Sequence, residues 1–375
     1  MSPVDCMSRA DRILLVLPSL ERGGGERVML QLARSFLAAG RDVHLAVLLG
    51  GGPLRGEVPD AVVLHELVPA GHARGFWLAW QAFPRLISLM RSVQPGAVLS
   101  TMTGTNLLTV LACKRSHGRA RLVLREASSL VNAPGFFKRR AMRWLYPCAD
   151  MIVAVSRGVA EDLRGLGIPD DRIRVIHNPV DPERLRHLAG VGPVLPSLEG
   201  VPYVIALGRL TKAKDYPTLL RAYAASKLRH SHRLVIVGEG EERADLERLI
   251  RELGIAERVL LAGALDNPFR ILAGAALLVL SSLWEGYPNV LLEALALNVP
   301  VVATDCRHGP RELFDDGHKG CLVPVGDDVT LARAMETELR HPSSCSQFAL
   351  DEHRPQVIAS GYLAVLDKAC GEGSS

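Results

Sequence analysis

Short, wholly apolar runs recur along this chain, each closed by a glycine- or serine-containing loop and followed by a longer amphipathic stretch. Residues 12–18 read Arg-Ile-Leu-Leu-Val-Leu-Pro, and 43–49, 97–100, 122–124, 151–156, 203–207, 234–237, 259–263, 275–280 and 300–304 repeat the pattern. A strand apolar on both faces has to be covered on both faces, which in α/β proteins means a parallel sheet between helices. The first unit of the pattern runs strand, glycine triplet 23–25, amphipathic helix 26–39 with Gly40 as its stop, then strand again. That is a nucleotide-type α/β opening. A length of 375 residues is long for one core and predicts two domains. A Pro-, Gly- and Leu-containing linker at 190–202 precedes a restart of the sheet pattern.

Bulk properties narrow the class. With 48% hydrophobic and 22% charged residues, this is a globular composition and not a disordered one. Seven cysteines (6, 113, 148, 306, 321, 345, 370) are scattered without metal-like pairing and are expected as reduced thiols. The first residues carry no basic-then-apolar leader, and no apolar run reaches the ~18 residues a spanning helix needs. Charge is divided unevenly: residues 1–180 hold 23 Lys and Arg against 14 Asp and Glu, a net +9, and the remainder is net −5. The two halves therefore suit different partners.

The second half carries the chemistry-bearing loops. Gly208-Arg-Leu-Thr-Lys-Ala-Lys-Asp-Tyr216 follows a strand, and Arg209 and Lys214 are placed to clamp a diphosphate, one as a planar fork and one as a point charge. Lys212 lies nearby, but the spacing favours Lys214. At 281–294 an apolar strand runs into Glu285 and Gly286, then Pro288 at a helix start, then Glu293 in the second turn. Amides at such a start attract an anion, and two carboxylates eight apart can flank it. An ordinary strand–loop–helix unit with solvated carboxylates fits the spacing equally well. In the first half, Asn106, Arg125 and Glu126 fall at the carboxyl ends of strands, where open parallel sheets bind ligands, and are acceptor-side candidates.

Glu285 and Glu293, with Gly286, Pro288 and Asn289 between them, resemble the Glu-(seven residues)-Glu signature of glycosyltransferase family 4. The likeness extends to Gly24, Gly25 and Glu26, to Gly208, Arg209 and Lys214, and to the Asn-Pro-Val-Asp of 178–181, so it spans most of the chain. It implies the α/β GT-B fold, two doubly wound Rossmann-like domains facing across a cleft. Residues 1–180 would bind acceptor and 181–355 nucleotide sugar, with a helix at 356–370 returning to the first domain. It also implies a retaining hexosyltransferase in which Arg209 and Lys214 stabilise the leaving diphosphate and Glu285 holds the donor sugar. Glu293 would bind ribose, with Gly24, Gly25, Gly208, Gly286, Tyr287, Pro288 and Asn289 completing the donor site. The sequence departs from the family in two places: it has no histidine on the acceptor side, and Asn298 stands where glycine is usual. The missing histidine leaves open whether a side chain acts as base; Asn298 can adopt the left-handed conformation.

Absence of Asp-x-Asp implies no metal, and no cofactor is expected beyond the nucleotide sugar as co-substrate, uridine favoured over guanosine. A non-catalytic nucleotide-sugar-binding protein, a GT-B epimerase and a phosphorylase share the two-domain shape. A dehydrogenase is disfavoured by the missing Gly-x-Gly-x-x-Gly. Segments 76–91 and 136–146 mix aromatic and basic residues, the latter packing four cations among four rings. Interfacial helices have that composition. The expectation is a glycan or lipid-linked acceptor of bacterial surface-polysaccharide assembly, met by a cytoplasmic protein peripheral on the inner membrane face. Nucleic acid is not an expected partner.

Overall fold

The structure is a computed structural model describing residues 11–71, 75–130, 135–192, 195–315, 320–342 and 350–367. Cys6, Cys345 and Cys370 lie outside the described residues, as do the last residues of the 356–370 segment. The chain divides into two compact units, one of Met1–Pro179 with His353–Ser375 and the other of Val180–Glu352. Each is built on one parallel sheet between helices, a Rossmann-like arrangement.

The first sheet comprises β1 (Arg12–Leu17), β2 (Asp42–Leu49), β3 (Val63–Val68), β4 (Ala97–Thr101), β5 (Arg121–Glu126), β6 (Met151–Ala154) and β7 (Ile173–Val175). Its order is β3-β2-β1-β4-β5-β6-β7. The second comprises β8 (Tyr203–Leu207), β9 (Arg233–Val237), β10 (Val259–Gly263), β11 (Leu277–Leu280), β12 (Val301–Thr304) and β13 (Cys321–Val323), ordered β10-β9-β8-β11-β12-β13. Chain direction of strand addition reverses between β1 and β4, and again between β8 and β11. Crevices open outside the carboxyl ends of strands at such reversals.

The central strands are buried almost throughout, as their continuous apolar runs require. The edge strands β3 and β7 lack that signature: Val63–Val68 carries His65 and Glu66, and only Ile173 of β7 is buried. An edge strand is covered incompletely, so its sequence needs no apolar run, and neither strand is foreseen above. Helix Gly24–Ala38 buries Val28, Met29, Leu32, Ala33 and Phe36 and ends before Gly40, at φ +77°. The last helix, Pro355–Leu366, packs on it through Ile358, Ala359, Tyr362, Val365 and Leu366, so that the chain's end completes the first core. Asn298 takes the left-handed turn after helix Asn289–Ala296, at φ +58°, as a short polar side chain permits. No helix among the described residues is long and apolar enough to cross a membrane.

One titratable pair ties β2 to the edge. His44 Nδ1 and His65 Nε2 are 2.9 Å apart with nearly parallel rings, while Asp42 lies 3.5 Å from His44 and 2.6 Å from Arg12. Burial lowers the pKa of both imidazoles, with Arg12 adding to the effect at His44 against Asp42, and His44 adding to it at His65. A depressed histidine favours the neutral folded state, so this stabilisation is present above the ordinary value of 6.5 and is lost as pH falls through the lower folded value. The melting temperature should decline between pH 6.5 and 5, and His65→Gln should flatten that decline. An unchanged pH slope in the variant would show the pair to be irrelevant.

Candidate active site

At the reversal point of the second sheet, the loops leaving β8 and β11 are stitched together. Leu283 N–H donates to the Ala213 carbonyl at 2.8 Å, and Ser281 Oγ donates to the Lys214 carbonyl at 2.7 Å. Between them, Lys212–Lys214 forms a single tight turn closed by Asp215 at φ +43°, from which helix Tyr216–Ala225 starts. Gly208, at φ +154°, lets that turn fold back, because a Cβ there would lie 2.9 Å from Lys214 Cε.

The consequence is an ion pair across the reversal. Lys214 Nζ sits 2.5 Å from Glu285 Oε1, the two side chains being 20% and 14% exposed. Ser282 Oγ donates to the same oxygen at 2.6 Å, and Thr304 Oγ1 at the end of β12 holds the Ser282 carbonyl at 2.6 Å. Tyr216, buried beneath, donates its hydroxyl to the Gly208 carbonyl at 3.0 Å. Burial first, and then the Glu285 charge, push its phenol far above the usual range. Cys306 feels the same two influences and is pushed up to about 12, so its thiol stays protonated despite Lys214.

Arg209 occupies the carboxyl end of β8 and is exposed, with no side-chain partner among the described residues. Lys212 is exposed as well, so of the two lysines it is Lys214 that meets Glu285. Gly286, Tyr287 and Pro288 are buried and lead into helix Asn289–Ala296, whose first turn no side chain caps. Leu291 N–H is turned to the Pro288 carbonyl at 3.1 Å, and the positive end of the helix dipole lies at this loop. Glu293 is half-buried in the second turn, and the partners of Glu285 are Lys214 and Ser282.

In the first unit, Gly24 and Gly25 open helix Gly24–Ala38 at the exit of β1. A Cβ on Gly23 would lie 1.9 Å from a Glu26 carboxylate oxygen, and one on Gly25 would lie 3.2 Å from Met102 Cε at the exit of β4. The glycines thus let a carboxylate and a neighbouring loop approach the backbone. Asn106, Arg125 and Glu126 are buried in the core rather than presented to an acceptor. Arg125 donates to Thr101 Oγ1 at 3.0 Å and Asn178 Oδ1 at 2.6 Å. Glu126 accepts from Tyr146 at 2.6 Å and from Thr103 at 3.3 Å, so these neighbours in sequence do not pair with each other. Asn106 accepts from Ser100 at 2.7 Å and donates to the Arg125 carbonyl at 3.0 Å. Burial raises the Glu126 pKa against the hydrogen bonds it accepts. Tyr146, counted above among the interfacial rings of 136–146, belongs to this interior network, because its hydroxyl needs the Glu126 carboxylate.

Ser282, Tyr216 and Cys306 escaped the sequence reading. A serine three residues before a loop carboxylate is the single local signal that pointed to any of them.

Residues 22–184 match the family described as Glycosyltransferase Family 4, and residues 193–350 match Glycosyl transferases group 1. The chain is 30% identical over 332 residues to the N-acetylgalactosamine-N,N'-diacetylbacillosaminyl-diphospho-undecaprenol 4-alpha-N-acetylgalactosaminyltransferase of Campylobacter jejuni, covering 86% of this chain and 88% of that one. A lipopolysaccharide core biosynthesis glycosyltransferase of Rhizobium meliloti is 34% identical over 224 residues, 58% of this chain and 64% of its own. Among solved structures, Anabaena HepE in complex with UDP and glucose superposes with a TM-score of 0.74 at 19% identity, covering 95% of this chain and 97% of that one. The fold is GT-B.

The loop holding Glu285 is backed by Gly309, at φ +86°, where a Cβ would fall 2.6 Å from Pro288 Cδ. Gly326, at φ +74°, has no atom within 4 Å of the corresponding position. Gly309→Ala should therefore cost about 1–3 kcal/mol beyond the backbone strain both sites share. Gly326→Ala should show that strain alone. Denaturant unfolding of the two variants makes the comparison; equal losses would mean that the loop is not held in place by this contact.

Proposed function

This chain belongs to the glycosyltransferases of family 4 and group 1, and on that premise we propose a retaining, metal-independent hexosyl transfer from a uridine diphosphate sugar to a lipid-linked glycan. The observation that carries this reading is the Lys214–Glu285 pair across the β8–β11 reversal, with Arg209 open on the same strand end. Transfer breaks the bond from the anomeric carbon to the diphosphate, and negative charge grows on the β-phosphate oxygen. Arg209 and Lys214 stabilise that charge, helped by the positive end of helix Asn289–Ala296. Lys214 then shares its ammonium between Glu285 and phosphate.

Glu285 has one carboxylate oxygen committed to Lys214 and Ser282, and turns the other to the sugar hydroxyls. Glu293 binds ribose. The acceptor hydroxyl attacks from the face the diphosphate leaves and passes its proton to the departing phosphate oxygen, so no side-chain base is required. Absence of Asp-x-Asp supports metal independence. Anabaena HepE, with UDP and glucose bound, supports the uridine nucleotide, and the diphospho-undecaprenol substrate in the Campylobacter relative's name supports the acceptor class. An acceptor anchored in a bilayer suits a cytoplasmic enzyme that works at the inner membrane face. In this reading Asn106, Arg125 and Glu126 position the Thr103 loop from inside the first unit.

A binding protein breaks no bond and has no need of an open cation at the diphosphate, and an epimerase forms no new glycosidic bond to an acceptor, so product analysis separates it from a transferase. Arg209→Ala and Lys214→Ala should each lower kcat by about 10²–10³ with a uridine diphosphate sugar. Anomeric analysis of the product by NMR reads retention directly. Near-normal turnover in either variant, or an inverted product, would refute the mechanism.

A further inference from the structure

Two adjacent serines at the exit of β11 divide the work of holding the Lys214–Glu285 pair. Both are buried. Ser281 Oγ donates to the Lys214 carbonyl at 2.7 Å and so fixes where the lysine leaves its loop. Ser282 Oγ donates to Glu285 Oε1 at 2.6 Å and so fixes the carboxylate itself. A hydroxyl has one proton to give, and Ser282 commits it to that oxygen. The Ser282 carbonyl in turn accepts from Thr304 Oγ1 at 2.6 Å, which ties its backbone to the end of β12.

Lys214 Nζ and Ser282 Oγ converge on one oxygen, Oε1, while Oε2 makes no hydrogen bond among the described residues. Glu285 is also the one carboxylate in ion-pair contact with the Lys214 ammonium among those residues. The ammonium therefore has a full negative charge beside it before any diphosphate arrives. That charge is felt beyond the pair. Burial is the main reason the Cys306 thiol is pushed up to about 12; the Glu285 charge comes next and outweighs the opposing charge of Lys214. At Tyr216 burial again comes first and Glu285 second. On the inner side of the loop the carboxylate is not cancelled by its partner.

A diphosphate at this loop has to share a cation that already has a partner. Like charges a few ångströms apart in a partly covered site repel each other strongly. In the transfer proposed above, that repulsion changes along the reaction. While the anomeric carbon loses the diphosphate, which keeps the bonding electron pair, the sugar ring carries positive charge and attracts Glu285. Once the acceptor oxygen has bonded to that carbon and its proton has passed to phosphate, the sugar is neutral again. Glu285 then faces the diphosphate with no positive ring to offset it. One carboxylate thus favours the transition state and disfavours the product complex, and it is such a difference that raises turnover.

We propose that Ser282 is a positioning residue that pins Glu285 on Lys214, and that the pinned carboxylate drives release of the nucleoside diphosphate product. It loosens the hold on product by occupying the ammonium that the diphosphate needs. The inference deepens the transfer reading, on which its biological sense rests, but its binding test needs no turnover.

The test is the affinity of the full chain for UDP, read by calorimetry and by melting shift. Glu285→Gln, which keeps the shape and removes the charge, should bind UDP about 10-fold more tightly. Ser282→Ala should move affinity the same way by a smaller factor, and Ser282→Thr, which restores the hydroxyl, should bring it back toward the wild-type value. Damage to the fold weakens a ligand, so a gain in affinity separates positioning from mere support. Ser281→Ala, which loses a hydrogen bond in the same loop but none on the carboxylate, should melt earlier without tightening UDP. With a uridine diphosphate sugar, kcat and KM should fall together in Glu285→Gln and Ser282→Ala, the mark of relieved ground-state strain. Added to Glu285→Gln, Lys214→Ala should leave UDP no tighter than Lys214→Ala alone. The inference is overturned if Glu285→Gln and Ser282→Ala bind UDP no more tightly than the wild type, or if the gain survives without Lys214. A wild-type chain that shows no shift with UDP would sink the uridine reading, and inorganic diphosphate then runs the same comparison; no shift with that either would overturn this inference as well. Tighter UDP binding in a chain that transfers sugar from no uridine diphosphate sugar would sink the transfer reading and leave the pinned carboxylate standing.

Discussion

A lysine and a glutamate drawn together at the point where strand order reverses are what the second unit is arranged to hold. On an open surface such a pair is worth roughly 0–1 kcal/mol, because water and salt screen it. Here both side chains are mostly covered, and Ser282 gives the carboxylate a further donor. Covering charges costs desolvation energy that mutual attraction offsets only with additional hydrogen bonds. The serine, the backbone stitches between the two loops and the Thr304 brace supply that support. What results is a cation and a carboxylate fixed before any ligand arrives. Fixed dipoles and charges stabilise a developing charge without first having to reorganise.

The first unit treats its own reversal point differently. There the charged residues at strand ends face inward: Arg125 toward Asn178 and Thr101, Glu126 toward Tyr146 and Thr103. His353 Nδ1 lies 3.1 Å from the Asn178 carbonyl, so the returning C-terminal segment is tied to the same network. A buried arginine and a buried carboxyl that do not pair need every available neutral partner, and this interior provides several. Such a network makes the end of the sheet rigid. The surface it supports is left to the glycine loop, which allows close approach of backbone.

How far the sequence reveals all this depends on what each residue has to satisfy. Interior strands were legible because burial on two faces demands apolar residues at every position. The edges β3 and β7 were not, because half-exposed strands tolerate charge. Lys214 could be preferred to Lys212 from spacing alone, and Asn298 could be assigned a left-handed turn from its short polar side chain. By contrast, the strand-end position of Asn106, Arg125 and Glu126 said nothing of whether they point into the solvent or the core. Side-chain direction there is set in part by partners distant in sequence, such as Tyr146 for Asn106 and Glu126 and Asn178 for Arg125. Ser282 and Tyr216 were hidden for the same reason: their value lies in a contact between loops that only folding brings together.

Charge bookkeeping by halves leads to a second lesson. The C-terminal half is net negative, yet it is the half whose loops converge on Arg209 and Lys214. Beyond about 8 Å at physiological ionic strength, exposed charges are largely screened from one another. A phosphate at the helix tip after Pro288 would respond to the cations within a few ångströms of it, and scarcely to acidic residues on remote helices such as Arg243–Glu252. The excess positive charge of the first half acts at the other extreme. Spread over many exposed side chains, it sets a broad potential around that half rather than a single site. Local geometry, not the net charge of its half, therefore governs what the second unit can hold at that helix tip.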